Sequence, residues 1–284
     1  MPVPNKSFAR RVKHLKEIAK NVRLNIVDMI YTAQSGHPGG ALSAADIVTA
    51  LYFDIMNFDP KNPNWPERDR FILSKGHGCP VWYACLAMKG TFPLKELKTL
   101  RQLNSILQGH PDKLKTPGVD MTTGSLGQGL SIGVGMALEA KLKNKDYFTY
   151  VVLGDGELNE GMIWEAAASA HKYHLDNLVA IVDRNRLQMD GFTRDIMPME
   201  PLDQKFISFN WEVMTIDGHK MNEILTVLEK AKQVKGKPIC IIANTIKGKC
   251  VKFMENIRVW HGKAPNEEQY KQAIACIKGE SDEN

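Results

Sequence analysis

The stretch VVLGDGELNEGMIWEAAASAHKYHLDNLVAIVDRNRLQMDG, residues 151–191, holds two short apolar runs that are separated by about one helix length. The runs 151–153 and 178–182 have the length and composition of strands buried on both faces. Residues 157–177 are enough for one right-handed helical crossover between parallel strands. We therefore predict that the two strands lie in one sheet, point the same way and end at the same edge.

Polar side chains follow both runs. Asp155 stands within Gly154-Asp155-Gly156, and Asn185 ends the triplet Asp183-Arg184-Asn185. In open α/β sheets ligands bind beyond the carboxyl ends of the strands, so Asp155 and Asn185 are expected to face one crevice. Carboxylate and amide oxygens are hard ligands that suit Mg²⁺ or Ca²⁺ rather than zinc. The pattern predicts a site for such a cation.

The same turn suits a diphosphate that the cation would bridge. Gly154 and Gly156 let phosphate oxygens approach the main chain. Glu157 and Glu160 flank the turn and would repel a diphosphate that lacked a cation.

Two simpler interpretations compete with this one. A dinucleotide-binding turn of the GxGxxG type would need glycine at position 159, where the chain has Asn159. Alternatively, Asp155 could only cap the following helix. A second strand that ends in asparagine about 30 residues later favours the metal–diphosphate interpretation over both.

The rest of the chain alternates strands with helices, which predicts an α/β fold: a parallel β-sheet with helices on both faces. We expect one domain over residues 1–284, with an amino-terminal helical arm at 8–33 and a carboxyl-terminal helix at 266–279. A helix over 43–56 would have Ser43 as its N-cap. A helix over 125–142 contains four glycines, which predicts another helix or a ligand close to its backbone. The other expected elements are strands at 70–74, 148–153, 177–182, 211–216 and 238–246, and helices at 91–103, 160–173 and 222–234.

Composition excludes several classes of protein. The 284 residues are 43% hydrophobic and 24% charged, with a mild net charge of +5, which is ordinary for a globular protein. The basic run near the amino terminus has no aromatic platform or nucleic-acid motif beside it, so we predict a solvated helix face and no nucleic-acid partner. Five cysteines without CxxC spacing read as reduced thiols. The start MPVPNKSF has no apolar signal region, and no run is long enough for a membrane helix. We expect a cytoplasmic protein without a membrane partner.

The GDG turn followed by asparagine resembles the thiamine diphosphate–Mg²⁺ motif of thiamine-dependent enzymes. The resemblance implies that Asp155, Asn185 and the main-chain carbonyl of Leu187 would hold Mg²⁺, with Ca²⁺ or Mn²⁺ as substitutes. It also implies that Gly154 and Gly156 border the cofactor.

Further stretches narrow the resemblance to one family. They are SGHPGG (35–40), SKGHG (74–78), QGHPD (108–112), TTGSLGQG (122–129) and WHG (260–262). With GDGELNEG they look like the cofactor-binding half of transketolase, from about residue 24 to the carboxyl terminus. Several long motifs in the right order make this resemblance specific.

The resemblance implies roles for four of the eight histidines. His77 and His261 would contact the diphosphate, while His37, His110 and His261 would line the sugar channel, bind hydroxyls and move protons. The remaining histidines have no such motif and are predicted to be packing or surface residues: His14, His171, His174 and His219.

Other positions acquire roles from the resemblance as well. Gly124 and Leu126 would flank the thiazolium side of the cofactor, and Asp183 would support the site from behind. Glu160, and with less support Glu165, would lie at a subunit interface, in a proton path between paired active sites. Their simpler interpretation is a solvated helix face.

Transketolases activate thiamine with a glutamate from a second, pyrimidine-binding domain, and the chain stops before any such domain. We therefore expect the pyrimidine-binding and carboxyl-terminal domains to be absent. The chain would be the amino-terminal subunit of a split transketolase, active with a carboxyl-terminal subunit in an α2β2 heterotetramer. It would transfer a two-carbon ketol unit from a ketose phosphate to an aldose phosphate.

Other functions stay open at this point. The α chain of a 2-oxo acid dehydrogenase shares the GDG…N logic but lacks the GHPGG and TTGSLGQG pair. Deoxyxylulose-phosphate synthase is a much longer, fused enzyme. A non-catalytic thiamine diphosphate-binding protein is the alternative from another class, although the expected metal ligands are intact. The sequence does not distinguish pentose phosphate metabolism from a dedicated catabolic route.

Overall fold

The computed structural model of the chain describes residues 6–189 and 191–280, and its strands form one parallel sheet. The strands are β1 (Arg70–Leu73), β2 (Thr149–Gly154), β3 (Leu178–Arg184), β4 (Glu212–Asp217) and β5 (Ile239–Asn244). Their order in the sheet is β1-β2-β3-β5-β4. Val151 on β2 pairs with Ala180 on β3, which in turn pairs with Cys240 on β5. The prediction that the two apolar runs are parallel neighbours is confirmed.

Helices cover both faces of this sheet. They are α1 (Lys6–Ala33), α2 (Pro38–Ser43), α3 (Ala45–Ala50), α4 (Cys79–Lys89), α5 (Gln128–Leu142), α6 (Gly161–Lys172), α7 (Thr193–Ile196), α8 (Leu202–Ser208), α9 (Met221–Ala231) and α10 (Glu267–Lys278). Helices α1, α3, α4 and α9 pack on one face with Val152 and Ile181, and α5, α6 and α8 pack on the other with Val151 and Val182. Successive strand residues thus point to opposite apolar layers. The expected α/β fold is confirmed.

Glycines let helix α5 lie very close to the sheet. A Cβ added to Gly133 would sit 2.5 Å from Cγ2 of Val151, and one added to Gly129 would collide with Ser74. Gly127, just before the helix, has φ +86°, a conformation that favours glycine. The sequence predicted another helix or a ligand close to this backbone; among the described residues the atoms nearest Gly129 and Gly133 belong instead to Ser74 and to strand β2. Gly135 has no atom within 4 Å of its Cβ position.

The helix predicted over 43–56 is divided in the structure. Ser43 is the last residue of α2 rather than an N-cap, and a π-helical turn, Leu51–Ile55, follows α3. The Ser43 hydroxyl donates instead to the carbonyl of Gly40 and to the carboxylate of Asp183. That buried carboxylate overrides the local capping preference, so the predicted cap is wrong.

Two further differences concern buried or short elements. The helix predicted over 91–103 is only a 3₁₀ segment, Leu94–Thr99. Helix α4 was not predicted, because nine of its eleven residues are buried and the sequence therefore lacks the one-sided apolar stripe of a surface helix.

Within the described residues, no helix has the length and apolar character needed to cross a membrane. Most of the amino-terminal stretch MPVPNKSF lies outside the described residues.

Candidate active site

A cavity of about 360 Å³ opens where β2 and β3 end. Nine residues predicted from the sequence line it: His77, Leu126, Gly154, Asp155, Gly156, Glu160, Asn185, Leu187 and His261. The Asp155 amide donates to the carbonyl of Asp183 across the two strand ends, over 3.3 Å. The expectation that Asp155 and Asn185 face one crevice is confirmed.

The oxygens predicted as metal ligands are buried at this edge. Asp155 is 5% exposed, and its carboxylate accepts from the amides of Gly156 (2.9 Å) and Arg186 (2.6 Å). Asn185 Oδ1 accepts from the amide of Leu187 over 3.1 Å. Burial, followed by the negative charge of Asp183, raises the pKa of Asp155 to about 7. No ion pair with another described residue compensates the Asp155 carboxylate.

This donor set fits a hard divalent cation. A buried carboxylate without an ion-pair partner is stabilised by a positive ion, and amide and carbonyl oxygens complete the ligand types that Mg²⁺ or Ca²⁺ prefers. Among residues 6–189 and 191–280 no cluster of three His, Cys, Asp or Glu side chains could hold a metal. Of the three predicted metal ligands only Asp155 is one of these residue types. The other two are the Asn185 side-chain amide oxygen and the Leu187 main-chain carbonyl.

Two polar atoms in the wall of the cavity also lack partners. Asn159 Oδ1 and Gln188 Nε2 are buried, and neither forms a hydrogen bond within the described part of the chain. The Gln188 side chain lies over Gly156, where an added Cβ would be 2.9 Å from its Cγ. Buried polar groups of this kind ordinarily pair with water or a ligand. The wall therefore fits a polar ligand beside Gly156.

Asp183 lies beneath the cavity rather than in it. Its carboxylate pairs with the Lys75 ammonium and accepts from the hydroxyls of Ser43 and Thr245. Although burial alone would raise it, the pKa of Asp183 is lowered by the charge and hydrogen bond of Lys75. Asn185 Nδ2 lies 3.4 Å from the same carboxylate. This buried arrangement orients Asn185 from behind.

Three of the predicted histidines form a cluster, and two of them, His77 and His261, line the cavity. The ring centres of His37, His77 and His261 lie 5.1–5.5 Å apart. Burial lowers the pKa of His37 and of His261 to about 4, with contributions from the charges of Arg101 and Lys247 respectively. Burial also lowers the pKa of His77 well below its usual value. All three imidazoles are therefore neutral near pH 7.

His110 stands apart from this cluster. Its ring lies over the backbone of Gly124, which has φ +151°, and a Cβ added there would be 3.1 Å from the imidazole. Burial, then the charge of Arg101, lowers the pKa of His110. The Arg101 guanidinium donates to the carbonyl of Gly109 over 3.3 Å and lies 3.5 Å from His37 Nδ1.

Two lysines of the site were missed in the sequence. Lys247 Nζ donates to His261 Nδ1 (2.8 Å) and to the carbonyl of Leu187 (3.1 Å), and it lines the cavity. Burial, and then the charge of Lys75, lowers the pKa of Lys247 to about 8. Lys75 stands within the SKGHG motif and so could have been singled out. Lys247 follows a strand with no motif that was recognised.

The two glutamates of the turn differ. Glu157 is buried, and its carboxylate accepts from the Ser74 hydroxyl and from the amides of Gly127 (2.8 Å) and Gly154 (3.0 Å). The prediction that Glu157 would repel a diphosphate did not take these hydrogen bonds into account. They hold the Glu157 carboxylate against the turn. Glu160 is exposed and lies at the start of α6, at the edge of the cavity. Glu165, one turn further along α6, is also exposed.

A parallel sheet with a polar cleft at its carboxyl edge is typical of cofactor-binding α/β domains, and comparison with known proteins specifies which kind. The family model described as "Transketolase, thiamine diphosphate binding domain" matches residues 14–278. The chain belongs to the transketolase family.

Several relatives have nearly the same length as this chain. It is 47% identical to the 6-deoxy-6-sulfo-D-fructose transketolase subunit SqwG of Clostridium sp. (strain MSTE9), covering 94% of this chain and 97% of that protein. It is 44% identical to one subunit of the apulose-4-phosphate transketolase of Phocaeicola vulgatus, covering 93% and 94%. The chain is, like these relatives, an amino-terminal transketolase subunit, a thiamine diphosphate-dependent transferase that acts with a partner subunit. The 2-oxo acid dehydrogenase alternative is not favoured.

Solved transketolases contain the same fold within longer chains. The transketolase of Campylobacter jejuni superposes with a TM-score of 0.88 at 36% identity, covering 94% of this chain and 43% of that one. The Leishmania mexicana enzyme gives a TM-score of 0.88 at 33% identity, covering 93% and 41%. The chain thus spans less than half the length of these structures.

Proposed function

We propose that the cleft holds thiamine diphosphate through Mg²⁺, with the Asp155 carboxylate, Asn185 Oδ1 and the Leu187 carbonyl as metal ligands. Ca²⁺ or Mn²⁺ would substitute. The observation that carries this proposal is the buried Asp155 carboxylate, which faces a cavity with no ion-pair partner among the described residues. When bound, thiamine diphosphate supplies the carbon that accepts and releases the two-carbon unit.

The wall beside the metal ligands would bind the diphosphate. Neutral His77 and His261 donate hydrogen bonds to phosphate oxygens, and Gly154 and Gly156 allow those oxygens to approach the main chain. Lys247 Nζ, held between His261 and Leu187, adds positive charge. Gly124 and Leu126 lie against the thiazolium side, and Asp183 supports Asn185 from behind.

The histidines at the cavity mouth would bind the sugar. Ketol transfer requires that a ketose hydroxyl lose a proton and that an aldose carbonyl gain one. His37, His110 and His261 are suited to binding the sugar because their lowered pKa values keep each imidazole neutral near pH 7, with both a donor and an acceptor nitrogen. His37 and His110 each also have one N–H that can donate to a sugar hydroxyl.

Residues 1–284 would form a single thiamine diphosphate-binding domain, and the partner subunit would supply the pyrimidine-binding and carboxyl-terminal domains with the activating glutamate. We expect an α2β2 heterotetramer in the cytoplasm, with Glu160 at an interface between active sites. Exposed apolar side chains at and near the cavity support a covered surface there: Met189 (69% exposed), Ile196 (48%) and Met197 (56%). Free cysteines fit a reducing compartment.

The substrates would be a ketose phosphate donor and an aldose phosphate acceptor, in pentose phosphate or related carbohydrate metabolism. The relatives named above act on a sulfonated fructose and on apulose 4-phosphate, so an anionic sugar is the shared chemistry.

The deciding experiment is a ketol-transfer assay with thiamine diphosphate and Mg²⁺, on this chain alone and with the carboxyl-terminal subunit encoded beside it. The chain alone should show no turnover, since the activating glutamate would come from the partner subunit. Adding the partner should restore turnover and tighten cofactor binding together, because the cofactor stabilises the assembled form. Robust turnover by the rigorously purified chain alone would overturn the proposed division between subunits.

A further inference from the structure

We infer that His219 is a positioning residue that holds the segment 245–248, and with it the Lys247 ammonium, against the cofactor cleft. The sequence offered no role for this histidine. It lies outside the cavity, on the turn between β4 and α9, and segment 245–248 directly follows β5. The inference rests on the proposed function only where Lys247 is taken to face the cofactor.

The hydrogen bonds of His219 determine its tautomer. Its Nε2 accepts from the amide of Ile246 over 2.8 Å, so this nitrogen carries no proton. Its Nδ1 lies 2.9 Å from a carboxylate oxygen of Asp46 and must therefore carry the proton and donate it. His219 thus links Asp46 to the main chain immediately before Lys247, in the neutral Nδ1–H form.

Asp46 is itself fixed from the far side. Arg23 Nη1 and Nη2 donate to the two carboxylate oxygens of Asp46, over 3.0 and 2.5 Å, and both side chains are buried. Although burial alone would raise it, the pKa of Asp46 is lowered by the charge of Arg23 and the hydrogen bond of His219. A bidentate arginine–carboxylate pair has a defined geometry, so the acceptor for His219 Nδ1 is rigid.

The turn that carries His219 is also packed tightly on segment 245–248. A Cβ added to Gly218 would lie 2.5 Å from Cγ2 of Thr245, and the Gly218 amide donates to the carbonyl of Asn244 over 2.8 Å. The His219 amide donates to Oδ1 of Asp217 over 2.9 Å. These contacts fix how closely the turn approaches segment 245–248. They place the His219 imidazole within hydrogen-bonding distance of the Ile246 amide.

Losing the imidazole would leave the Ile246 amide without its acceptor while the neighbouring bonds of the segment persist. Thr245 is held by the Arg184 carbonyl (3.1 Å) and Gly248 by the Gly39 carbonyl (3.0 Å). The expected effect is thus local: the segment loosens around Ile246 and the Lys247 ammonium loses its fixed place beside His261 and Leu187, although the Lys247 carbonyl still accepts from the Asn256 amide over 2.9 Å. Removing a residue that orients a ligand-binding group typically weakens ligand affinity by roughly 10–100-fold.

Two variants each retain one of the two hydrogen bonds that the His219 imidazole makes. In His219→Gln the side-chain oxygen reaches the place of Nε2 and can accept from Ile246. In His219→Asn the amide nitrogen takes the place of Nδ1 and retains only the bond to Asp46. A buried position at the amino end of β3 provides a stability control: Asn177→Ala, which removes bonds to the carbonyls of Ala137 and Tyr147.

The measurements are amide hydrogen exchange of segment 245–248 and calorimetric titration with thiamine diphosphate and Mg²⁺, on the full chain. We expect faster exchange and roughly 10–100-fold weaker binding in His219→Ala and His219→Asn, with both restored in His219→Gln. Asn177→Ala should lose thermal stability but keep both local exchange and affinity.

Equal behaviour of the Gln and Asn variants, or unchanged exchange in His219→Ala, would overturn the inference. Nitrogen NMR of the imidazole gives an independent test, since a proton on Nε2 contradicts the assigned tautomer. If the unsubstituted chain binds no cofactor even with the partner subunit present, the proposed function fails, whereas the exchange and tautomer results still decide the role of His219.

Discussion

Lys75 and Asp183 form an ion pair whose side chains are both shut off from solvent beneath the cleft, 2% and 0% exposed. The carboxylate is shared with the hydroxyls of Ser43 and Thr245, so residues from four separate segments meet at one charge. A buried ion pair stabilises a fold little or no more than apolar residues of similar size would. Removing one partner, however, leaves the other charged and buried without compensation.

Replacing one partner of this pair should therefore destabilise the chain strongly. We expect Lys75→Met to lower the free energy of unfolding by about 3–5 kcal/mol, because Asp183 is left charged and buried. Urea denaturation measures this. Adding Asp183→Asn to Lys75→Met should recover part of the loss. Strictly additive losses in the double variant would show that the two side chains are not coupled.

Removing the Asp155 carboxylate should abolish Mg²⁺-dependent binding of thiamine diphosphate while the chain stays folded. Asp155→Ala takes away the only charged member of the proposed ligand set. Calorimetric titration with and without Mg²⁺ is the measurement, and circular dichroism checks the fold. Asp176→Ala, at the amino end of β3, is the matched control and should bind normally. Unchanged cofactor affinity in Asp155→Ala would refute the metal assignment.

The histidines should divide between cofactor and sugar. His110→Ala is expected to lower turnover and sugar affinity far more than cofactor affinity in the reconstituted enzyme, because His110 stands over Gly124 and apart from the three-histidine cluster. His14→Ala, on helix α1, should change neither. Steady-state kinetics with varied sugar and varied cofactor separates the two effects. Similar kinetics for both variants would contradict the proposed division.

Acid should destabilise the fold through His37. Its pKa is about 4 in the folded chain, lowered by burial and then by Arg101, whereas an unfolded histidine takes up a proton near pH 6.5. The unfolded chain therefore binds more protons between these values, so this part of the stability is present above about pH 6.5 and lost as the pH falls towards 4.

NMR titration of the His37 imidazole in the isolated chain should give a midpoint near 4. In His37→Gln the free energy of unfolding should fall less steeply over this pH range. Arg101→Gln should raise the midpoint, since it removes a positive charge near the ring. A His37 midpoint at the ordinary value would exclude this source of acid sensitivity.

The sequence predicted the sheet and the meeting of Asp155 with Asn185 because both follow from local pattern: apolar runs of strand length and one crossover. Lys247 escaped notice because its place depends on where the segment after β5 packs, and no short pattern encodes that. Helix α4 was missed for a related reason, since full burial removes the apolar–polar contrast. The direction of the Glu157 carboxylate depends on the Gly127 amide, thirty residues further towards the amino terminus, and likewise follows from packing alone.

The histidine cluster gathers His37, His77 and His261 from widely separated parts of the chain, close to both of its ends. Because strands β2 to β5 lie between His77 and His261 in the chain, we expect the three rings to meet only once the sheet has assembled. Cofactor binding therefore reports completed folding of the whole subunit. A fluorescent or calorimetric signal for thiamine diphosphate would count correctly folded molecules in a preparation, and slow recovery of that signal during refolding would follow the last long-range contacts rather than the first helices.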